Sequence, residues 1–532
     1  MRARTPLMDR VQRALRLAAH CERTGEPARE AVERLRSSPR RRMLAAAAGA
    51  GLALSLAPTR PLRAAPSASG LNVAIVGAGL AGLQAARVLE GKGARVTLFD
   101  ADTARVGGRV WSLRGVFPGQ VAERGGELID TGHVTVRGLA REFGLTLESY
   151  RANQLPGEEF FYFSGRHWSE AEVVDEFRAF LPAIKRDLRR ASPEPTAEAH
   201  TVVDRELDLT PLSAYLDSRG AGALIRAVLD TAYTIEFGRE IDRQSALAML
   251  FFIGATRSAN FRPFGSSDER FHVVEGNDAV PRAIAATLAQ PVRLGHRLLH
   301  VGLLAHGRVR VGFDTPGGAR DSDHDAVIIA IPAPAVRQVV FAPSVPLGAG
   351  QLGAIRDLDY GTSSKLMVGF RGRPWFELSG SNGASSSDLP NHQVTWETNP
   401  SLARNGERGV LTDFSGGERG ARLDPMRPSA QAQTFLTDLE RIYPGSATLA
   451  RRDNQGRVVA HLENWSKLPL YMGGYTNNQP GYFTTIEGLY AKPAGRVFFA
   501  GEHTDSFYGW QGFMEGALVS GARAADEVLR AA

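Results

Sequence analysis

The stretch from Leu71 to Asp100 constrains the chain more than any other. Leu71-Asn72-Val73-Ala74-Ile75-Val76 is a short apolar run rich in β-branched residues, followed at once by Gly77-Ala78-Gly79-Leu80-Ala81-Gly82. Leu83, Ala86, Val88 and Leu89 continue at helical spacing, and Ala94–Phe99 reads as a second strand ending at Asp100. Strand, glycine turn, helix, strand and acid in this order predict a Rossmann-like unit that binds a dinucleotide. Gly77 allows the tight turn, Gly79 lets backbone approach a pyrophosphate, and Gly82 permits close packing of helix on strand. The helix N-terminus supplies free N–H groups to phosphate. Asp100 is placed to accept hydrogen bonds from a ribose diol. A merely structural turn would need the glycines alone, whereas here both strands and the acid are in register with them.

Charge is distributed unevenly along the 532 residues. The whole chain carries 63 basic and 57 acidic side chains, but residues 1–65 hold 14 Arg against 5 acids, which leaves a body with 49 basic and 52 acidic groups. No basic run in that body is interleaved with aromatics, so nucleic acid is not an expected partner. Pro39-Arg40-Arg41-Arg42-Met43-Leu44 resembles a twin-arginine export motif and precedes an apolar run, Met43–Ala57, too short to span a bilayer as a helix. Residues 1–65 therefore read as an export signal and leader, with small residues around Ala64–Ser69 offering a cleavage region. Leu7, Val11, Leu15 and Ala18 among Arg10, Arg13 and Arg16 suggest an extended n-region in transient contact with an anionic membrane surface. An uncleaved, membrane-anchored tail is the other reading. The expected location is the periplasm or outside the cell, and the expected partner of the leader is the twin-arginine machinery. The single cysteine, Cys21, lies in this leader, so a processed chain would have no thiol nucleophile, disulfide or cysteine ligand, and no metal site is expected.

Gly107-Gly108-Arg109 follows the second strand, and Gly125-Gly126-Glu127-Leu128-Ile129 comes next. The first pair brings backbone near a cofactor while Arg109 can set a cation beside its diphosphate. With these residues the chain resembles the flavin-containing amine oxidase superfamily, which includes monoamine oxidases, polyamine oxidases and L-amino-acid oxidases. The resemblance recurs in Val497–Thr504, with Gly501 and Glu502, and in Gly509-Trp510-Gln511-Gly512-Phe513-Met514-Glu515-Gly516. It implies FAD as cofactor. Without a cysteine beside Phe507-Tyr508-Gly509, the FAD is expected to be non-covalently bound. A helix opening near Phe513 and Met514 can aim its amides at a flavin carbonyl. Glu502 resembles the family acid near the ribityl or diphosphate end, with helix capping as its alternative role. Val292 is an adenine contact by resemblance.

The expected fold is α/β and α+β, a Rossmann-like FAD-binding domain with a discontinuous substrate domain of mixed sheet and helices. FAD-binding pieces are placed at 70–148, 265–350 and 455–532, and substrate-domain pieces at 149–264 and 351–454. Helices are expected over Glu172–Leu188, with a break or shift at Pro182, and over Gly222–Tyr233 and Ser245–Phe252. Leu298–Leu303 with Val309–Phe313 suggests a hairpin, Lys365–Phe370, Val394–Trp396 and Val410–Phe414 read as strands, and Ser-, Gly- and Asn-rich Leu378–Pro390 reads as a flexible surface loop.

Tyr360–Lys365 resembles the family segment whose lysine reaches toward flavin N5 through a water, and a cation there would favour O2 reduction. By resemblance Trp465 and Tyr475 wall the flavin, and Phe513 keeps the ring of a cage tyrosine without its hydroxyl. Trp510 and Phe513 serve as cage or as core packing, while Tyr482 and Phe483 are alternative wall residues. The resemblance implies oxidation of a primary or secondary amine by Cα–H hydride transfer, with O2 as acceptor and hydrogen peroxide as product. L-Amino-acid oxidases commonly place a carboxylate-binding arginine after the N-terminal glycines, and Gly125–Asp130 has none. Arg137 and Arg257 are the possible substitutes. An amine substrate is therefore ranked first, an L-amino acid second, and a periplasmic flavoprotein without turnover third. A homodimer is also compatible with this reading.

Overall fold

A computed structural model describes residues 5–37, 70–253, 269–405 and 408–532. Four parallel strands form the sheet that the first motif predicts, in the order Val497–Phe499, Ala326–Ile329, Asn72–Val76, Arg95–Phe99. Val73 pairs with Ala326 on one side and Val96 on the other. All four strands are largely buried runs, as a sheet covered on both faces requires. The helices Leu80–Glu90 and Met514–Ala531 pack on each other against it. A Cβ on Gly521 would lie 2.1 Å from Ala81 O, so that approach depends on glycine. Arg297–Leu303, Val309–Asp314 and Arg320–His324 form an antiparallel sheet, extending the expected hairpin.

Seven strands make the second large sheet, running from Ala460–Asn464 through Ser364–Gly369, Val410–Ser415, Val394–Glu397, Ser381–Ser387 and Glu158–Phe163 to Arg166–Trp168. Two expectations fail here. Ala460–Asn464, assigned to an FAD-binding piece, pairs with Ser364–Gly369 in this sheet. Ser381–Ser387, expected as a surface loop, is a fully buried strand parallel to Glu158–Phe163. Most of its hydroxyls find partners inside: Ser385 Oγ lies 2.6 Å from Thr395 Oγ1 and 2.9 Å from His392 Nε2, and Ser387 Oγ 2.8 Å from His392 Nδ1. Hydrogen-bonded small polar residues thus fill a core strand that composition alone assigns to solvent.

Helices cover the other side of the substrate region. Glu170–Arg190 opens on a capping box between Ser169 and Glu172 and continues through Pro182 without the expected break. Its apolar face, with Phe177, Phe180, Leu181 and Ile184 buried, outweighs the hydrogen bond that proline removes.

The largest departure concerns the N-terminus. Pro6–Thr24 and Ala28–Ser37 are helices packed on Glu170–Arg190, with Leu7, Val11, Leu15 and Ala18 buried in the main apolar cluster. Gln12 Nε2 donates to Phe252 O at 2.7 Å, Arg13 pairs with Glu170 at 2.6 Å and Arg151 with Asp9 at 2.9 Å. The expectation of an n-region on a membrane surface is therefore corrected: the apolar stripe faces protein, and Arg10 and Arg13 pair with acids of the body. Cys21, fully buried, belongs to the same core. The motif Pro39–Leu44 and the run Met43–Ala57 lie outside the described residues. No described helix is long and apolar enough to cross a membrane.

Candidate active site

One large cavity opens at the carboxyl ends of the parallel strands, where Val76, Gly77, Asp100, Ala330 and Gly501 line it. Ligands bind at this edge in doubly wound sheets. Gly77 has φ of 109°, and a Cβ there would lie 2.5 Å from Ala330 O. Gly82 stands outside the lining, and a Cβ on it would lie 1.8 Å from Gly77 O, in keeping with its expected packing role. A Cβ on Gly79 would meet no protein atom, so the space before the Leu80–Glu90 helix belongs to the cavity. Gly108 and Gly126 line it as well. Asp100 accepts backbone N–H groups of Ala78 and Asp102, the latter at 2.8 Å, and burial pushes its carboxyl above the usual range against those bonds.

Val292 does not line this cavity. It packs against the apolar cluster of the parallel sheet, while His296, Arg297 and Leu298 supply the wall at that end.

Glu502 collects four partners. Arg109 Nη1 donates to its Oε1 at 3.2 Å and Tyr360 OH at 3.0 Å, while Thr476 Oγ1 and the Gly512 N–H reach Oε2 at 3.0 and 2.8 Å. Arg109 also donates to Gly474 O at 2.5 Å. This carboxylate holds the loop 474–476, the turn before the last helix and the arginine in one arrangement. Next to it, burial brings His503 down to about 4, so the imidazole is neutral at ordinary pH.

Lys365 is buried and lines the cavity. Its Nζ contacts Glu127 Oε2 at 2.5 Å and Gly125 O at 2.8 Å, and Trp396 Nε1 donates to Glu127 Oε1 at 2.9 Å. Glu127 and Trp396, to which the sequence reading gave no role, therefore fix the lysine. Trp465 lines the cavity and donates through Nε1 to Arg124 O at 2.9 Å. Tyr475 lines it too, its hydroxyl donating to Ile235 O at 3.1 Å. Phe513 and Met514 present the N-terminus of the last helix to the same space. Trp510 stands behind them: its ring meets His133 edge-on at 4.6 Å and does not line the cavity, which favours the packing reading for this residue. Tyr482 and Phe483 are likewise off the wall, the first bonded to Glu487 and Gln511, the second packed on Phe507. Arg137 donates to Thr131 O and lies over the Phe271 ring, away from the cavity lining. Arg257 lies outside the described residues. Cys21 is absent from the lining, so no described thiol is placed to tether a flavin.

A glycine-lined cleft at the strand ends, an acid at the second strand and a helix N-terminus facing the same space define a dinucleotide-binding protein. The pattern described as flavin containing amine oxidoreductase matches residues 80–529, and the chain belongs to this family of FAD-dependent enzymes. It is 27% identical to an L-amino-acid oxidase of Naja atra over 483 residues, 86% of this chain and 88% of that protein. Among solved structures it resembles cyclohexylamine oxidase from Brevibacterium oxydans, with a TM-score of 0.72 and 21% identity over 86% of this chain and 99% of that one. Putrescine oxidase bound to putrescine gives 0.70 and 20% over the same shares. These two likenesses establish the fold.

Proposed function

We propose that this chain is an L-amino-acid oxidase, converting an L-amino acid, O2 and water to a 2-oxo acid, ammonia and hydrogen peroxide. The observation that carries the reading is the similarity to curated L-amino-acid oxidases along nearly the whole length of both chains. FAD, when bound, would supply the two-electron chemistry that links oxidation of the substrate Cα–N bond to reduction of O2. The protein's part is to bind, orient and exclude water. Gly77, Gly79 and Asp100 would hold the nucleotide end, with Arg109 fixed nearby by Glu502. Trp465, Tyr475 and Phe513 would form apolar walls that orient a neutral amine and keep water out. Lys365, held by Glu127, would place a fixed cation where negative charge develops.

Amine oxidation without a carboxylate is the second reading, and one observation favours it. The only arginines among the described lining residues are Arg109 and Arg297, tied to Glu502 and Asp314, so no described guanidinium is left to pair with a substrate carboxylate. Product analysis separates the two. Across a panel of L-amino acids that includes basic ones, at least one is expected to give its 2-oxo acid, ammonia and peroxide in equal amounts. Turnover of the matching amines to aldehydes with no turnover of any L-amino acid would select the second reading.

Export is a separate proposal, supported by Pro39–Leu44 alone.

A further inference from the structure

Near the N-terminal helix the cavity carries a carboxylate pair that the chemistry above does not use. Asp130, Glu269 and Thr5 all line it there, and the two acids are 1% and 6% exposed. The Glu269 N–H donates to Asp130 Oδ1 at 2.8 Å, which sets both side chains on one wall. Glu269 has φ of 39°, a backbone conformation that costs energy in a residue with a side chain and persists only where its surroundings hold it. Among the described residues its Oε1 is buried without a hydrogen-bond partner. A buried carboxylate oxygen left in that state is costly, and a ligand cation would remove the cost.

The electrostatic surroundings have the same sign. Acting on Glu269 are Asp9, Asp130 and Glu236 on the acidic side and Arg151 on the basic side. Arg151 is already paired with Asp9, and Thr5 Oγ1 donates to Glu236 Oε2 at 2.8 Å. Burial, with these acids around it, raises the proton affinity of Glu269, and an adjacent ammonium or guanidinium would lower it. The pair is also close to the aromatic wall: His133, 3.7 Å from Asp130, packs its ring edge-on to Phe513 at 5.2 Å.

We propose that Asp130 and Glu269 form a subsite for a second positive charge on the substrate, so that the molecule oxidised has a cationic tail, as a basic L-amino acid or a diamine does. The amine undergoing oxidation must shed its proton before it can lose a hydride, and a buried carboxylate would hold it as ammonium. Such a carboxylate suits the amine that does not react. This inference rests on the oxidase reading above, but its test separates the two.

Matched compounds differing only in tail charge are titrated anaerobically into the FAD-loaded enzyme: L-lysine against L-norleucine, L-arginine against L-citrulline, and cadaverine against pentylamine. Binding is read from the shift of the flavin spectrum and reduction from its bleaching. In the series that binds, the cationic member should bind about tenfold or more tightly than its neutral match, as expected for a charge-assisted hydrogen bond. Glu269→Gln should bring that ratio close to one, and Glu269→Asp, which keeps the charge, should preserve much of it. If Glu269→Gln does not load FAD, the parent enzyme and Glu269→Asp still decide. Equal binding of charged and neutral partners overturns the subsite. Charge-selective binding without bleaching supports the subsite and overturns the oxidase reading, and neither binding nor bleaching with any compound overturns both.

Discussion

At the scale of residues, Lys365 and Asp100 carry the most testable weight. Lys365 and Glu127 are both under a tenth exposed, so Lys365→Met leaves a carboxylate buried beside Trp396 with its cation gone. Loss of one partner from such a pair costs roughly 3–5 kcal/mol of stability, and adding Glu127→Gln should recover much of it in denaturant unfolding. In the FAD-loaded single variant, reoxidation by O2 is expected to slow by about 10²–10³. Stopped-flow rates of reduction and reoxidation both equal to the parent's would remove Lys365 from the mechanism. Asp100→Ala should weaken FAD retention by about 1.5–3 kcal/mol, the worth of hydrogen bonds to a charged acceptor. It also strips the Ala78 and Asp102 amides of their acceptor. An unchanged FAD dissociation constant, followed by flavin fluorescence, would reject the assignment. Gly77, Gly79 and Asp100 were legible because the glycine spacing is local and each glycine has one steric reason. Glu127 was not, because its partners Lys365 and Trp396 stand 238 and 269 residues away, and no local pattern links them. Leu298, which lines the cavity where Val292 does not, carries no local signal that separates it from the other apolar residues of its strand.

Elements fail or succeed by how far local pattern agrees with tertiary environment. The first two strands of the parallel sheet combine β-branched residues with a terminal glycine or acid, and their limits agree with expectation within a residue. Ser381–Ser387 and Pro6–Ser37 do not follow local pattern. Serine hydroxyls look solvent-seeking until His392, Thr395 and Tyr443 are found facing them. The N-terminal stripe of Leu7, Val11 and Leu15 is equally consistent with a lipid surface, and only the facing helix Glu170–Arg190 reveals the partner. Leu15, 3% exposed, tests this directly. In protein whose intact mass shows residues 1–65 present, Leu15→Ala should cost about 2–5 kcal/mol, the range for a large-to-small change in a packed core. An unchanged unfolding midpoint would return the helix to the role of a leader. Processing at Ala64–Ser69 would sever this helix from the chain, so the export proposal and the packing of Pro6–Ser37 make opposed demands on the mature enzyme.

For the whole molecule, three separated segments of the chain build one sheet. Residues 72–99, 326–329 and 497–499 bring their carboxyl ends together, and the cavity at that edge is walled on its far side by Lys365, Trp396 and Phe414 of the seven-stranded sheet. Glycines more than 350 residues apart in sequence, Gly77 and Gly501, thereby line one space. That assembly would seat a flavin between the nucleotide cradle and the aromatic wall of Trp465, Tyr475 and Phe513. The central claim is that this chamber oxidises an amine by reducing the flavin. The most direct test is anaerobic mixing of the purified yellow protein with an L-amino acid while the visible flavin band is followed, and then admission of O2. The account predicts bleaching by an L-amino acid and not by its D-enantiomer, then recovery of the band with one hydrogen peroxide formed per flavin. A protein that binds FAD and its ligands yet stays fully oxidised with L-amino acids and amines alike would contradict the account and leave a flavoprotein without turnover.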